Sequence, residues 1–175
     1  MIPHHYKDIV DSTNSEAKRM FTATHTAPFA VVANRQTEGR GRHGHRWYSE
    51  SDGGLYYSLL VEPKVFDFSA LEKYHHEIGL RIARLLTEIT AIRIDLEWPN
   101  DLILDHKKVG GVLLETTSGT PYVIIGVGLN INQTEFPDEL KHMAISMYQK
   151  SQKIYDKRPF AERLSQELHN VFAGN

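Results

Sequence analysis

Residues 92–115 read I-R-I-D-L-E-W-P-N-D-L-I-L-D-H-K-K-V-G-G-V-L-L-E and hold the signals for the centre of a sheet. Apolar and polar residues alternate up to Trp98, which predicts a half-buried strand with Trp98 in the core. A proline then breaks the strand, and apolar runs on either side of the polar residues 105–108 predict a hairpin. Another apolar run at 122–129 follows a predicted turn at 118–119. The stretch therefore predicts a three-stranded antiparallel meander.

Helices are predicted at four places around this meander. Thr13 with Glu16, and Ser69 with Glu72, match the capping-box pattern, so helices are predicted to begin there. The second helix carries apolar residues at helical spacing, which indicates packing against a sheet. Its His75-His76 pair points in two directions, and we expect solvent-facing histidines rather than metal ligands. The other two helices are predicted at residues 138–148 and from Pro159.

Composition and element order favour one α+β domain over residues 1–175, with helices packed against a mainly antiparallel sheet. Lys and Arg number 20 against 22 Asp and Glu, so no broad basic face is expected and DNA is not an expected partner. The absence of cysteine excludes disulfides and thiolate nucleophiles. No signal-peptide pattern or membrane-length apolar run occurs, and we expect a cytoplasmic protein without a membrane partner.

Residues 36–47, Q-T-E-G-R-G-R-H-G-H-R-W, place three arginines between glycines. Glycine allows close approach of the backbone to a ligand, and guanidinium groups form paired hydrogen bonds with carboxylate or phosphate. The loop joins predicted strands at 29–34 and 55–61, whereas glycine-rich nucleotide loops need a helix behind the glycines. The residues alone leave two interpretations open, an anion-binding loop and a solvated basic turn.

Four motifs together resemble the catalytic domain of biotin protein ligases. They are D-S-T-N at 11–14, G-R-G-R-H-G-H-R-W at 39–47, W-P-N-D at 98–101 with K-K-V-G-G-V-L-L-E at 107–115, and G-V-G-L-N-I-N at 126–132. Their order and spacing agree with the family over residues 6–132. The resemblance implies ATP-dependent activation of biotin to biotinyl-5'-AMP. It also implies transfer of biotin to a lysine of a biotin carboxyl carrier protein or a carboxylase domain.

The resemblance also assigns residues to this reaction. The catalytic candidates are Lys108, Arg40, Arg42 and Asp101. The three cations among them would offset the repulsion between the carboxylate of biotin and the triphosphate of ATP. The biotin-binding candidates are Ser12, Thr13, Gln36, Gly39, Arg40, Gly111 and Gly128. The ATP-binding candidates are Arg42, Arg46, Trp47, Asn100, Lys108 and Asn130. Asp101 is a candidate ligand of the Mg²⁺ that accompanies ATP, a candidate acceptor for the incoming lysine amine, or a turn aspartate, so no metal ligand is assigned.

The sequence departs from the family at three points. Glu97 stands where lysine is usual, and His45 stands where a basic residue, often arginine, is common. Members usually continue into a small β-barrel, and some carry an N-terminal winged helix; we expect a domain without either. Two alternatives to a biotin ligase stay open: a biotin- or adenylate-binding protein that has lost ligation, and a lipoate or octanoyl ligase of the same fold. The oligomeric state, including a homodimer, is also open.

Overall fold

The computed structural model describes residues 1–64, 66–116 and 119–172. The strands are β1 (His4–Val10), β2 (Phe29–Gln36), β3 (Gly54–Val61), β4 (Asp95–Glu97), β5 (Asp101–Leu104), β6 (Lys107–Glu115) and β7 (Val123–Asn130). They form a seven-stranded sheet in the order β1-β2-β3-β7-β6-β5-β4. The β1–β2 pair is parallel, and the other neighbouring strands are antiparallel. The predicted α+β class with a mainly antiparallel mixed sheet is confirmed.

The helices cover both faces of this sheet. They are α1 (Thr13–Thr24), α2 (Leu71–Thr90), α3 (Met147–Ser151) and α4 (Lys157–Phe172). Successive residues of a strand point to opposite faces, so β3 contributes to two apolar cores. Leu55, Tyr57 and Leu59 pack with α2 and α4, whereas Leu60 packs with Phe21 of α1. None of the helices in the described parts of the chain is long and apolar enough to cross a membrane.

Helix α2 provides the centre of the larger core. Ile78, Ile82 and Leu86 lie one helical turn apart and are fully buried, as their spacing predicts. Truncating one such side chain to alanine costs roughly 2–5 kcal/mol of stability. The helix ends at Ala91, which takes the left-handed conformation (φ 56°) and donates its N–H to the Thr87 carbonyl at 2.9 Å.

The β5–β6 hairpin has a tighter turn than its sequence indicates. Asp105 and His106 both have positive φ, 48° and 63°, which is the combination required by a two-residue turn whose twist matches the strands. Lys107 and Lys108 are therefore strand residues, and the prediction of a turn over 105–108 is wrong at its second half. The predicted three-stranded meander β5-β6-β7 is confirmed, and its turn at 118–119 lies partly outside the described residues.

Both predicted capping boxes are wrong. Helix α1 begins at Thr13, with Ser12 in the cap position, because the Thr13 hydroxyl bonds to Gln36 instead of its own helix. The second helix is preceded by a short 3-10 turn at Phe68–Ala70. There the Asp67 carboxylate accepts the Ser69 N–H at 2.9 Å, so the helix begins at Leu71.

Two further predictions are wrong because a strand and a helix have different bounds from those expected. Strand β4 stops at Glu97, so Trp98 lies beyond the alternation and is 57% exposed rather than in the core. Its ring contacts that of His76, with centroids 4.7 Å apart. The helix predicted at 138–148 is instead α3, which Ser146 caps through the N–H of Gln149. The helix predicted from Pro159 is confirmed as α4, with its start at Lys157.

His75 is buried, at 2% exposure, although its sequence position predicted a solvent-facing ring. Its Nδ1 donates to the Leu71 carbonyl at 2.9 Å, and its Nε2 accepts the Leu114 N–H at 3.0 Å. This arrangement fixes the neutral ring, and burial lowers the pKa of His75 below its ordinary 6.5. The described residues contain no metal-binding cluster of histidine and acidic side chains.

Candidate active site

Glycines of β6 and β7 form the floor of a cleft on the sheet face that carries α1. Gly126 and Gly128 lie at alternate positions of β7 and line the cleft, whereas the side chain of Val127 packs in the larger core. A Cβ at position 126 would lie 2.6 Å from Asn14 Oδ1, so a larger residue there would displace the Asn14 side chain. The cleft has a volume of about 280 Å³, close to the lower end of the range for small-molecule sites.

Polar side chains close one end of the cleft. Gln36 Oε1 accepts hydrogen bonds from the Thr13 N–H at 2.8 Å and from Thr13 Oγ1 at 3.1 Å. Both side chains are buried, as is Ser12, whose hydroxyl does not cap α1. This end of the cleft offers buried amide and hydroxyl groups in fixed positions, which can hydrogen-bond to a compact polar ring.

Ser58 and Asn14 extend this polar end, and neither was singled out from the sequence. Ser58 Oγ lies 2.7 Å from Thr13 Oγ1 and 2.5 Å from Asn14 Oδ1, so its one proton can be donated to either oxygen. Asn14 Nδ2 donates to Glu115 Oε2 at 2.7 Å. The available signal for Asn14 was its place in the D-S-T-N motif, and the signal for Ser58 was a hydroxyl inside an apolar strand.

Arg40 is held by a carboxylate from the far end of β6. Its Nε and Nη2 donate to the two oxygens of Glu115 at 3.0 and 2.8 Å, and its Nη1 donates to Ser15 Oγ at 3.0 Å. The Arg40 and Glu115 side chains are about one-third exposed, 33% and 34%. Arg40, a catalytic and biotin-binding candidate by the family resemblance, lines the cleft, whereas the sequence gave no role to Glu115.

Lys108 supplies a cation at the other end of the cleft. Its Nζ lies 2.7 Å from Asp101 Oδ1 and 5.5 Å from the centre of the Trp47 ring. The buried Asn130 donates to the Lys108 carbonyl at 3.3 Å, so it lies behind the strand and is not among the cleft-lining residues. In this structure Asn130 supports the Lys108 backbone.

The glycine- and arginine-rich loop is folded back as a small hairpin over the cleft. Gly41 N–H donates to the His45 carbonyl at 2.7 Å, and Trp47 N–H donates to the Gly39 carbonyl at 2.9 Å. A Cβ on Gly39 would lie 2.2 Å from Ser49 Oγ, so this glycine allows the loop to pack closely and does not itself line the cleft. The Trp47 indole lies on the glycine floor, where a Cβ at Gly128 would be 2.5 Å from it.

Each candidate cation at the cleft has a carboxylate partner. The pairs are Arg40 with Glu115, Arg42 with Glu72, Arg46 with Glu50, and Lys108 with Asp101. Glu72 and Glu50 are mostly exposed, so their pairs contribute little to stability, about 0–1 kcal/mol each. Arg42 and Arg46 can therefore exchange Glu72 and Glu50 for a ligand anion at a small cost in free energy.

The structure brings most of the predicted residues to one cleft. Those that line it are Ser12, Thr13, Gln36, Arg40, Arg42, Arg46, Trp47, Asn100, Asp101, Lys108, Gly111 and Gly128. Asn100 Nδ2 donates to the Val112 carbonyl at 2.8 Å, and its Oδ1 lies 3.5 Å from Arg42 Nη1. His45 also lines the cleft, whereas Glu97 is exposed and does not.

A divalent cation would find few protein ligands here. Asp101 is the one acidic residue among those that line the cleft in the described part of the chain, and it is paired with Lys108. A single carboxylate fits Mg²⁺ only when phosphate oxygens and water complete its coordination, as is usual for this ion.

The chain belongs to the biotin/lipoate A/B protein ligase family, which it matches over residues 6–132. Its curated relatives include biotin ligases. It is 36% identical to the bifunctional ligase/repressor BirA of Bacillus spizizenii over 87% of this chain and 48% of that protein. It is 30% identical to the biotin--[acetyl-CoA-carboxylase] ligase of Mycobacterium tuberculosis over 79% of this chain and 52% of that protein. The chain spans about half the length of these relatives.

Solved structures of biotin protein ligases share the fold. The Aquifex aeolicus enzyme in complex with biotin and ATP has a TM-score of 0.83 and 35% identity, covering 100% of this chain and 74% of that one. The Leishmania major enzyme in complex with biotinyl-5-AMP has a TM-score of 0.82 and 28% identity, covering 98% of this chain and 75% of that one.

Proposed function

We propose that this chain is the catalytic domain of a biotin protein ligase, which makes biotinyl-5'-AMP from biotin and ATP and transfers biotin to a lysine of a carrier domain. One observation carries the proposal. The glycine floor runs between a buried hydrogen-bonding end, with Gln36 and Thr13, and a cationic end with Lys108. A molecule with a polar ring, an apolar chain and a terminal carboxylate matches that order of groups.

Biotin binding uses the polar end and the floor. The ureido ring has N–H donors and a carbonyl acceptor, which the amide and hydroxyl groups of Ser12, Thr13 and Gln36 complement. The valeryl chain lies along Gly111 and Gly128, beneath the Trp47 indole, which must shift from its position on the floor to admit it. The carboxylate then reaches Lys108, with Arg40 also at the cleft.

Adenylation requires two anions to meet. A carboxylate oxygen of biotin attacks the α-phosphorus of ATP, the new O–P bond forms, and the bond to pyrophosphate breaks. Lys108 exchanges Asp101 for the converging carboxylate and phosphate, and Arg42 exchanges the exposed Glu72 for phosphate oxygens. Fixed cations that act where negative charge converges contribute to the rate through electrostatic stabilisation. No enzyme nucleophile takes part.

Transfer follows from the same geometry. The amine of the acceptor lysine attacks the acyl carbon, the C–O bond to AMP breaks, and the amine gives up a proton. Asp101, released from Lys108, is the cleft carboxylate that can accept a hydrogen bond from this amine. The acceptor is a biotin carboxyl carrier protein or the equivalent carboxylase domain.

The nucleotide side uses the loop and the β4–β5 connection. Arg46 and Trp47 of the loop and Asn100 line the cleft together, and Asn130 supports the backbone of Lys108 from behind. Mg²⁺ would arrive with the triphosphate, held largely by phosphate and water, with Asp101 as the candidate protein ligand. The bound ion would reduce the charge of the triphosphate.

The test is one reaction with biotin, Mg-ATP and a purified biotin-accepting carrier domain, with pyrophosphate release and biotin transfer both measured. We expect both products from the wild type. Biotin binding without either product would instead support a binding protein that has lost ligation. Lipoate in competition with biotin tests the remaining alternative, since a lipoate ligase would prefer lipoate, which has no ureido group to satisfy Gln36 and Thr13.

A further inference from the structure

Glu115 lies beside the cleft, where it joins the loop to α1. It is the last residue of β6, and its carboxylate receives hydrogen bonds from the loop on one side and from α1 on the other. On the loop side it binds both Nε and Nη2 of Arg40. Such two-point pairing fixes the plane of a guanidinium as well as its position.

On the α1 side the contacts continue without interruption to the polar end. Asn14 Nδ2 donates to Glu115 Oε2 at 2.7 Å, and Asn14 Oδ1 lies 2.5 Å from Ser58 Oγ. Ser58 is 2.7 Å from Thr13 Oγ1, which donates to Gln36. Asn14 and Ser58 are buried, at 4% and 0% exposure, so water cannot replace a hydrogen-bond partner that either of them loses.

We propose that Glu115 is a positioning residue for adenylation. It holds Arg40, and through Arg40 it holds residues 39–47 of the loop. In this orientation the cations of the cleft meet the substrate anions. Glu115 does not touch substrate and acts through Arg40. This inference rests on the proposed function. The charge of Glu115 matters because the neutral amide of glutamine would place an N–H donor against Arg40 or Asn14, both of which are donors at this point.

The kinetic test uses Glu115→Gln, Arg40→Gln and the double variant, with Glu88→Gln as the matched control. Glu88 also joins two elements through an arginine, Arg163 at 2.9 Å, but lies away from the cleft. We expect Glu115→Gln to lower the rate of biotin-dependent pyrophosphate exchange about ten- to a hundredfold. The double variant should be no slower than Arg40→Gln, because Glu115 acts through Arg40. Losses that multiply in the double variant would overturn the proposal.

The second readout does not depend on activity. The loop holds three arginines, so trypsin cleavage within residues 40–46, identified by fragment mass, reports its release from Glu115. We expect faster cleavage there in Glu115→Gln than in the wild type or Glu88→Gln, at a temperature well below the melting temperature of every variant. Equal cleavage rates would overturn the proposal. An inactive wild type with faster cleavage in Glu115→Gln would count against the proposed function while leaving the positioning role supported.

Discussion

Lys108 Nζ and Asp101 Oδ1 lie 2.7 Å apart across the β5–β6 hairpin, and each side chain is about one-third exposed, 37% and 36%. Lys107, one residue earlier, has its Nζ on the Lys141 carbonyl at 3.0 Å, away from the cleft. Two adjacent lysines of one strand therefore differ in what they can do, because neighbouring strand residues point to opposite faces.

Lys108→Ala should reduce adenylation about 10²- to 10³-fold but biotin affinity no more than about fivefold, because a partly exposed ion pair with the biotin carboxylate contributes little to binding. The lost charge acts mainly where carboxylate and phosphate converge. Pyrophosphate exchange and calorimetric biotin binding measure the two quantities. Lys107→Ala is the control and should retain both. Equal losses of affinity and rate in Lys108→Ala would contradict this role.

Gly128→Ala should displace Trp47, since its methyl group would lie 2.5 Å from the indole, closer than packed atoms approach. It should also weaken biotin binding at least about tenfold, because the methyl group fills floor space that the valeryl chain needs. Tryptophan emission in a Trp98→Phe background reports Trp47 alone, because the chain has two tryptophans.

Gly111→Ala provides the comparison for Gly128→Ala. Its added methyl would lie 3.5 Å from Lys108 Cε and 3.7 Å from Trp47, which is ordinary contact. We expect the Trp47 emission of this variant to match the wild type. An unchanged emission in Gly128→Ala would mean that the indole does not rest on the floor.

His45→Arg should lower the KM for ATP about two- to fivefold, the size expected for one partly exposed charge pair. His45 lines the cleft, so arginine there adds a permanent charge on the phosphate side. Glu97→Lys is the matched control, since Glu97 is exposed and outside the cleft. A larger effect from Glu97→Lys would show that position 97, and not position 45, faces the nucleotide.

The free energy of unfolding should fall as the pH drops below 6.5, partly because of His75. Burial lowers the pKa of His75 in the folded chain, so below pH 6.5 the unfolded chain binds a proton that the folded chain does not. The stabilising effect is fully present above pH 6.5 and is lost on acidification, by at most about 1.4 kcal/mol per pH unit.

Urea denaturation of the wild type and His75→Gln between pH 5 and about 8 measures this difference. His75→Gln should show a shallower fall below pH 6.5. The same slope in both proteins would show that His75 titrates normally in the fold.

Local patterns in the sequence determined the strands of the meander and the core face of α2, and the four motifs indicated most of the cleft through the family resemblance. The alternation of apolar residues, the helical spacing of Ile78, Ile82 and Leu86, and the motif glycines are short-range signals, and each depends on a few neighbouring residues. The same motifs placed the chain in its family before any contact was known.

Tertiary structure alone decided which side chains meet and which are covered. Asn14, Arg40 and Glu115 join α1, the loop and the end of β6, and no spacing within one element predicts contacts over such separations. His75 is buried because the β6 backbone at Leu114 lies against its ring, and Trp98 is exposed because β4 stops one residue before it. Burial is a property of the packed surfaces, so a residue's own neighbours in the chain do not specify it.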